Sequence, residues 1–322
     1  MRAIQFTTPG KVTMLTDAPI PDPAEGEVQV KCTFVGMCGS NMGQYTGEGL
    51  WGKMPYPVPI GNAGHENIGY VSKSCHPDWK EGTLVLAQPE GYYGFAEYIV
   101  SRPPAIALLP QDAPDPCSLI VAQPLATVLR ALSLTQDTII NKTCAVVGQG
   151  SMGLIFTHVL RLFGAGKVFT IDTIDWRLDW SKHFRADAVI NASKVDPVAA
   201  VKELTGGKMC DFVVDAAGKE ASLQTAAFSI KKYGRLLVFG MPHFEMQQFP
   251  WYHVFRSNIQ INTCVGPECG AFFQTAADMV VDERASILCD MVTPRMPWDK
   301  APEGFELYAT HAKDALKVTL EL

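Results

Sequence analysis

The stretch Cys144-Ala145-Val146-Val147-Gly148-Gln149-Gly150-Ser151-Met152-Gly153 decides the fold. A short apolar run leads directly into a Gly-x-Gly-x-x-Gly pattern, and an apolar-periodic segment, 152–163, follows it. Strand, glycine turn and helix in that order make a dinucleotide-binding turn. The first glycine permits the tight turn, the second lets a pyrophosphate approach backbone amides, and the third allows close helix–sheet packing. The electropositive start of the helix favours the phosphates. Asp172 ends the next apolar run, about twenty residues after the glycines, where a carboxylate accepts hydrogen bonds from both adenine-ribose hydroxyls and repels a 2′-phosphate. The pattern therefore predicts NAD rather than NADP. Gly148, Gly150, Ser151, Met152, Gly153 and Asp172 are the candidate cofactor residues, with Arg177 placed to lie along the adenine.

Outward from this turn, short apolar runs at 144–147, 168–171, 188–190, 212–214, 236–239 and 259–263 alternate with helix-like segments at 152–163, 176–184, 197–204 and 221–230. That alternation is the grammar of βαβ units and predicts a doubly wound parallel sheet. Upstream, the first 115 or so residues read differently. Strand candidates at 27–34, 67–72, 83–87 and 95–100 are broken by turn chemistry such as Pro19-Ile20-Pro21-Asp22-Pro23 and Pro55-Tyr56-Pro57-Val58-Pro59, which predicts a β-barrel or sandwich. After residue 270 the chain ends in an extended piece, 315–320, read as a strand returning to the first domain. The expected organisation is α/β in class, with a first domain over 1–118, a nucleotide domain over 119–269 and a return over 270–322.

Composition bounds the function. At 322 residues two cores are expected, and 47% hydrophobic with 19% charged residues fits an ordinary globular protein. A net charge of -6 argues against nucleic acid or an anionic membrane as partner, since both require a basic face. The N-terminal residues Met1-Arg2-Ala3-Ile4-Gln5-Phe6 lack the apolar stretch of a signal peptide, and no uncharged apolar run approaches transmembrane length, so a cytoplasmic location is expected. Nine scattered cysteines without a CxxC pair read as reduced thiols and offer no cysteine-rich structural zinc cluster.

Four further motifs lie upstream of the glycine turn: Gly36-Met37-Cys38-Gly39-Ser40, Gly64-His65-Glu66-Asn67-Ile68-Gly69, Gly94-Phe95-Ala96-Glu97-Tyr98 and Gln123-Pro124-Leu125-Ala126. With Asp215-Ala216-Ala217-Gly218, Gly234-Arg235-Leu236, Glu303-Gly304-Phe305-Glu306-Leu307 and the closing Lys317-Val318 they give the chain, nearly end to end, a pattern that resembles the zinc-dependent medium-chain dehydrogenase/reductase superfamily. The resemblance implies a GroES-like β-barrel catalytic domain made from both chain ends, a Rossmann domain between them and an active site in the cleft. It puts Cys38, His65 and Glu66 on the zinc ligands of the polyol and sugar dehydrogenase branch and Gln123 on the last ligand position. An amide oxygen there is a weaker donor than a carboxylate. Thiolate and one carboxylate opposite Zn²⁺ give a neutral site, a stronger Lewis acid than an anionic one. The implied activity is NAD-dependent oxidation of a secondary hydroxyl of a sugar, polyol or alcohol, with Ser40 starting the proton path and Glu66 alternately ligating metal and accepting a proton. Tyr45, Trp51 and Phe95 fall on walls of the substrate pocket. The resemblance also implies a homodimer or homotetramer, with 259–266 as a pairing edge.

Departures from the family pattern sharpen this. Asn41 replaces the usual Asp beside the Ser, removing a charge near the metal. Gly43 stands where many members carry a relay His, and the lobe that binds a structural zinc is missing between Leu84 and Gly94, so one catalytic zinc per chain and no structural zinc are expected. Three alternatives stay open: an NAD-binding sensor or binding module that has lost zinc catalysis, a zinc-free reductase, and an enzyme using transient NAD oxidation for elimination or epimerisation of a sugar.

Overall fold

A computed structural model describes the chain apart from residues 49–52, 136–138 and 243–244. The chain forms two compact units, one of Met1–Ala126 with Glu268–Leu322, the other of Thr127–Pro267. In chain order the strands are β1 (Ala3–Thr8), β2 (Lys11–Leu15), β3 (Val28–Gly36), β4 (Asn67–Ser74), β5 (Leu84–Ala87), β6 (Tyr98–Ser101), β7 (Ile106–Leu108), β8 (Thr143–Val147), β9 (Lys167–Asp172), β10 (Ala188–Asn191), β11 (Cys210–Asp215), β12 (Ile230–Val238), β13 (Gln260–Thr263), β14 (Arg295–Pro297) and β15 (Thr319–Glu321).

In the first unit, β14-β15-β3-β4-β5-β7 form one sheet with β6 also on β3, and β1 and β2 form a separate hairpin. Three pairings decide where chemistry can occur. β3 and β4 are antiparallel with Val35 opposite Asn67, so the end of β3 and the start of β4 coincide. β15 is antiparallel to β3 with Thr319 opposite Gly36, which brings the residues just before β15 to the same end. Three distant segments thus converge on one sheet edge. Beneath it Ile4, Phe6, Val30, Val35, Met37, Phe95, Phe305, Val318 and Leu320 form a fully buried core. The return strand is shorter than expected, because Leu316 and Lys317 give their N–H groups to the Thr293 carbonyl instead of a ladder.

The second unit is a six-stranded sheet in the order β10-β9-β8-β11-β12-β13, every pairing parallel. Relabelled by position this is the 3-2-1-4-5-6 order of a doubly wound nucleotide fold. Cys144, Ala145, Val146 and Val147 are buried, as strands covered on both faces require. Helices Ser151–Leu162, Asp175–His183, Pro197–Leu204 and Glu220–Phe228 alternate with the strands. The third starts cleanly because Asp196 accepts from the N–H groups of Val198 and Ala199 while Pro197 occupies its first turn.

The boundary between units falls after Ala126 rather than at 118, since the segment Pro116–Val121 and the first turn of helix Ala122–Ser133 belong with the first unit. The stretch Pro116–Ser133 is long and apolar enough to cross a membrane, but 78% of it is buried inside the protein, as in a core helix.

Candidate metal centre and dinucleotide site

Cys38 follows β3 by two residues and His65-Glu66 directly precede β4, so the antiparallel pairing brings all three together. The Sγ of Cys38, a ring nitrogen of His65 and a carboxylate oxygen of Glu66 lie within 4.8 Å of one another. Soft thiolate, imidazole and carboxylate at that separation are a donor set suited to zinc, with three protein ligands as in catalytic sites. Glu66 needs a particular neighbour: a Cβ on Gly36 would sit 2.4 Å from its Oε2, so only glycine leaves room for the carboxylate.

The electrostatics of the cluster are set by Lys317, which the sequence marked only as part of the closing family motif, without a role. Lys317 is fully buried, and its Nζ donates to both oxygens of Glu66 at 2.7 and 2.8 Å and to the Met37 carbonyl at 3.2 Å. Burial alone would lower its pKa, but Glu66 raises it above the ordinary lysine value. For Cys38, burial and the charge of Glu66 push the thiol up, yet its hydrogen bond with His65 and the charge of Lys317 prevail and hold it below the ordinary thiol value. Burial works against charge on His65 too, but the hydrogen bond and charge of Cys38 raise it. Cys32, Cys117 and Cys210 show the contrast, pushed up to about 12 by burial. Low-pKa thiolates are the ones that bind metal.

Both oxygens of Glu66 accept from the Lys317 ammonium, which fixes the carboxylate in place and sets a positive charge beside the three candidate ligands. Ser40, by contrast, keeps its role open, since its Oγ is buried with no hydrogen-bond partner among the described residues.

Gln123 is 4% exposed at the start of helix Ala122–Ser133, and its Nε2 donates to Gln88 Oε1 at 3.4 Å. Tyr92, on the same segment as Gln88, sets its ring perpendicular to His65 with centroids 5.7 Å apart. Of the three expected pocket aromatics, Tyr45 and Phe95 are buried. Tyr45 and Phe95 both pack against Phe6 and Phe305 in the core, and the Tyr45 hydroxyl donates to Glu306. Trp51 lies outside the described residues.

In the second unit each glycine of the fingerprint has a distinct reason. Gly148 has φ +91°, a conformation that L side chains rarely adopt. A Cβ on Gly153 would lie 1.8 Å from the Gly148 carbonyl oxygen, and one on Gly150 would meet nothing within 4 Å, leaving open surface at the start of helix Ser151–Leu162. Ser151 is buried and Met152 half-buried. Asp172 is 8% exposed and does more than end a strand: Oδ2 accepts from the Gln149 N–H at 2.6 Å, and Oδ1 from Thr173 and Ile174 at 2.7 and 2.9 Å. A carboxylate has about four acceptor positions, so it can fix this turn and still take a hydroxyl. The guanidinium of Arg177 lies over the Trp176 ring, 5.4 Å from its centroid.

A doubly wound sheet with a glycine turn, and a barrel-type unit carrying thiolate, imidazole and carboxylate together, define a zinc-type oxidoreductase. Comparison with known proteins agrees. Residues 24–110 match the family described as alcohol dehydrogenase GroES-like domain, and residues 151–282 match zinc-binding dehydrogenase. Sorbitol dehydrogenase of Bacillus subtilis (strain 168) is 27% identical over 253 residues, 70% of each chain. Sorbitol dehydrogenase of Homo sapiens is 26% identical over 324 residues, 91% of this chain and 89% of that protein. The solved structure of an alcohol dehydrogenase from Thermus sp. ATN1 superposes with a TM-score of 0.86 at 25% identity, covering 100% of both chains. The chain belongs to the zinc-dependent medium-chain dehydrogenase/reductase superfamily, whose members use zinc and NAD-type cofactors.

Proposed function

We propose that this protein is a zinc-dependent dehydrogenase that oxidises a secondary hydroxyl of a sugar or polyol with NAD. The observation that carries this is the convergence of Cys38, His65 and Glu66 within 4.8 Å at the Lys317-braced end of the β3–β4 pair. The relatives named sorbitol dehydrogenase support the polyol class. When bound, zinc supplies Lewis acidity that lowers the pKa of the substrate hydroxyl, and NAD accepts the hydride.

The chain's own residues do the rest. Cys38 and His65 hold the metal, Glu66 anchors it from a fixed position, and Gln123 serves as a weaker oxygen donor. Lys317 keeps the loaded centre cationic, which favours a substrate oxygen that gives up its proton. Ser40 Oγ would accept the hydrogen bond of the substrate hydroxyl and pass its own proton on to water, a path open to a buried hydroxyl that holds no other partner among the described residues. Asp172 holds the Gln149 end of the glycine turn and receives the ribose hydroxyls. One zinc per chain suffices, because Leu84–Ala87 runs to Gly94 through a short segment with no cysteine. We also place a homo-oligomeric contact at β13, the terminal strand of its sheet.

The test is an NAD-reduction screen across alditols, aldoses and simple alcohols, paired with zinc quantification. Turnover concentrated on polyols or sugars, with zinc bound, is the expected result. A preparation that binds NAD but neither zinc nor any alcohol contradicts it.

A further inference from the structure

Asn41 is fully buried and joins two loops through main-chain groups. Its Oδ1 accepts from the Cys38 N–H at 2.6 Å, and its Nδ2 donates to the Ala63 carbonyl at 2.8 Å. The same carbonyl faces Nδ1 of His65 at 2.9 Å. A carbonyl only accepts, so Nδ1 carries the proton in that bond and Nε2 keeps the lone pair that a metal needs.

We propose that Asn41 is a positioning residue of the metal centre: its amide braces the Cys38 loop against the carbonyl that orients His65. It thereby fixes the spacing of the two ligands and the tautomer of the second. The proposal rests on the zinc site assigned above.

Residue chemistry explains why an amide is needed here. The brace requires an acceptor at one end and a donor at the other, and Asn supplies both from one planar group. Asp has the same shape but, ionised, only accepts. It would keep the bond to Cys38, lose the one to Ala63 and set a negative charge against a carbonyl oxygen. Leu keeps the volume and loses both bonds. The substitution of Asn for the family's usual Asp is therefore more than a missing charge. Here a main-chain carbonyl supports His65, and the amide holds that carbonyl.

The experiment measures zinc affinity by competition with a chromophoric chelator in the wild-type protein, Asn41→Asp and Asn41→Leu. NAD affinity, the melting temperature of the metal-free protein and the visible spectrum of the cobalt-substituted protein are read alongside. The expected result is a zinc affinity lower by about tenfold to a hundredfold in both variants, as for other residues that orient metal ligands. A shifted thiolate–cobalt band should accompany it, with NAD affinity unchanged. Zinc held by Asn41→Asp as tightly as by the wild type overturns the proposal, and so does zinc lost only in step with the melting temperature. Wild-type protein that binds no zinc refutes the dehydrogenase reading and the brace with it, whereas equal binding in both refutes the brace alone. If neither variant folds, hydrogen exchange in the wild type decides: slow exchange of the Cys38 N–H and of the Asn41 side-chain amide supports the brace, and fast exchange of either overturns it.

Discussion

Lys317 donates to both carboxylate oxygens of Glu66 at 2.7 and 2.8 Å, with both side chains fully buried and 251 residues apart in sequence. An ion pair sealed from water is stable only when its hydrogen bonds are satisfied, and the third bond, to the Met37 carbonyl, helps to meet that condition. The pair ties the chain's last strand to the two segments that carry the candidate ligands. The site is therefore complete only with the C-terminal segment in place.

Replacing Lys317 by Met should leave Glu66 as an uncompensated buried charge and destabilise the metal-free protein by about 3–5 kcal/mol. Adding Glu66→Gln to that variant should recover a large part of the loss. Chemical denaturation of the single and double variants measures both, and additive effects in the two substitutions would contradict a direct pair.

Ser40→Ala should lower kcat about a hundredfold or more while leaving zinc content and NAD affinity intact, the pattern of a lost proton-transfer group. A variant with unchanged kcat would show that the buried hydroxyl takes no proton.

Asp172→Ala removes the proposed ribose acceptor together with three main-chain bonds, one to the Gln149 N–H of the glycine turn and two to Thr173 and Ile174. NAD affinity should fall, the preference for NAD over NADP should narrow, and the melting temperature should drop as well. Cofactor titrations check the first two effects; an unchanged preference would contradict the ribose assignment.

Asp215 gives a pH signature in the second unit. It is fully buried at the end of β11, and burial pushes its carboxyl up to about 6 from an ordinary 3.8. The native state thus holds its proton to a higher pH than the unfolded chain does. Between about pH 4 and 6 stability should fall as pH rises, by about 3 kcal/mol in total, and the loss should persist above that window. Asp215→Asn should remove this slope, which is read by comparing unfolding free energies of the two proteins at pH 4 and pH 7.

The sheet of the second unit was legible because its strands are continuous apolar runs and its glycines obey steric rules local to one turn. Cys38, His65 and Glu66 were legible as a family pattern, and pairing of β3 with β4 supplies the physical cause. The role of Lys317 was not: the residue stands in the closing family motif, but only strand pairing places its ammonium against Glu66, 251 residues away in sequence. Tyr45 and Phe95 misled for the opposite reason. Family position put them on the walls of a pocket, but their partners Phe6 and Phe305 are remote in sequence, and the four rings pack together in the core. Asp172 was read by its end-of-strand position alone, which does not show that its carboxylate also holds the Gln149 N–H.

The most direct test of zinc catalysis is the Cys38→Ser variant, assayed for zinc content, polyol-dependent NAD reduction and NAD binding in one preparation. The account predicts loss of both zinc and turnover with NAD binding retained, since Cys38 stands in the first unit and the glycine turn in the second. Full activity in the zinc-depleted variant would contradict it.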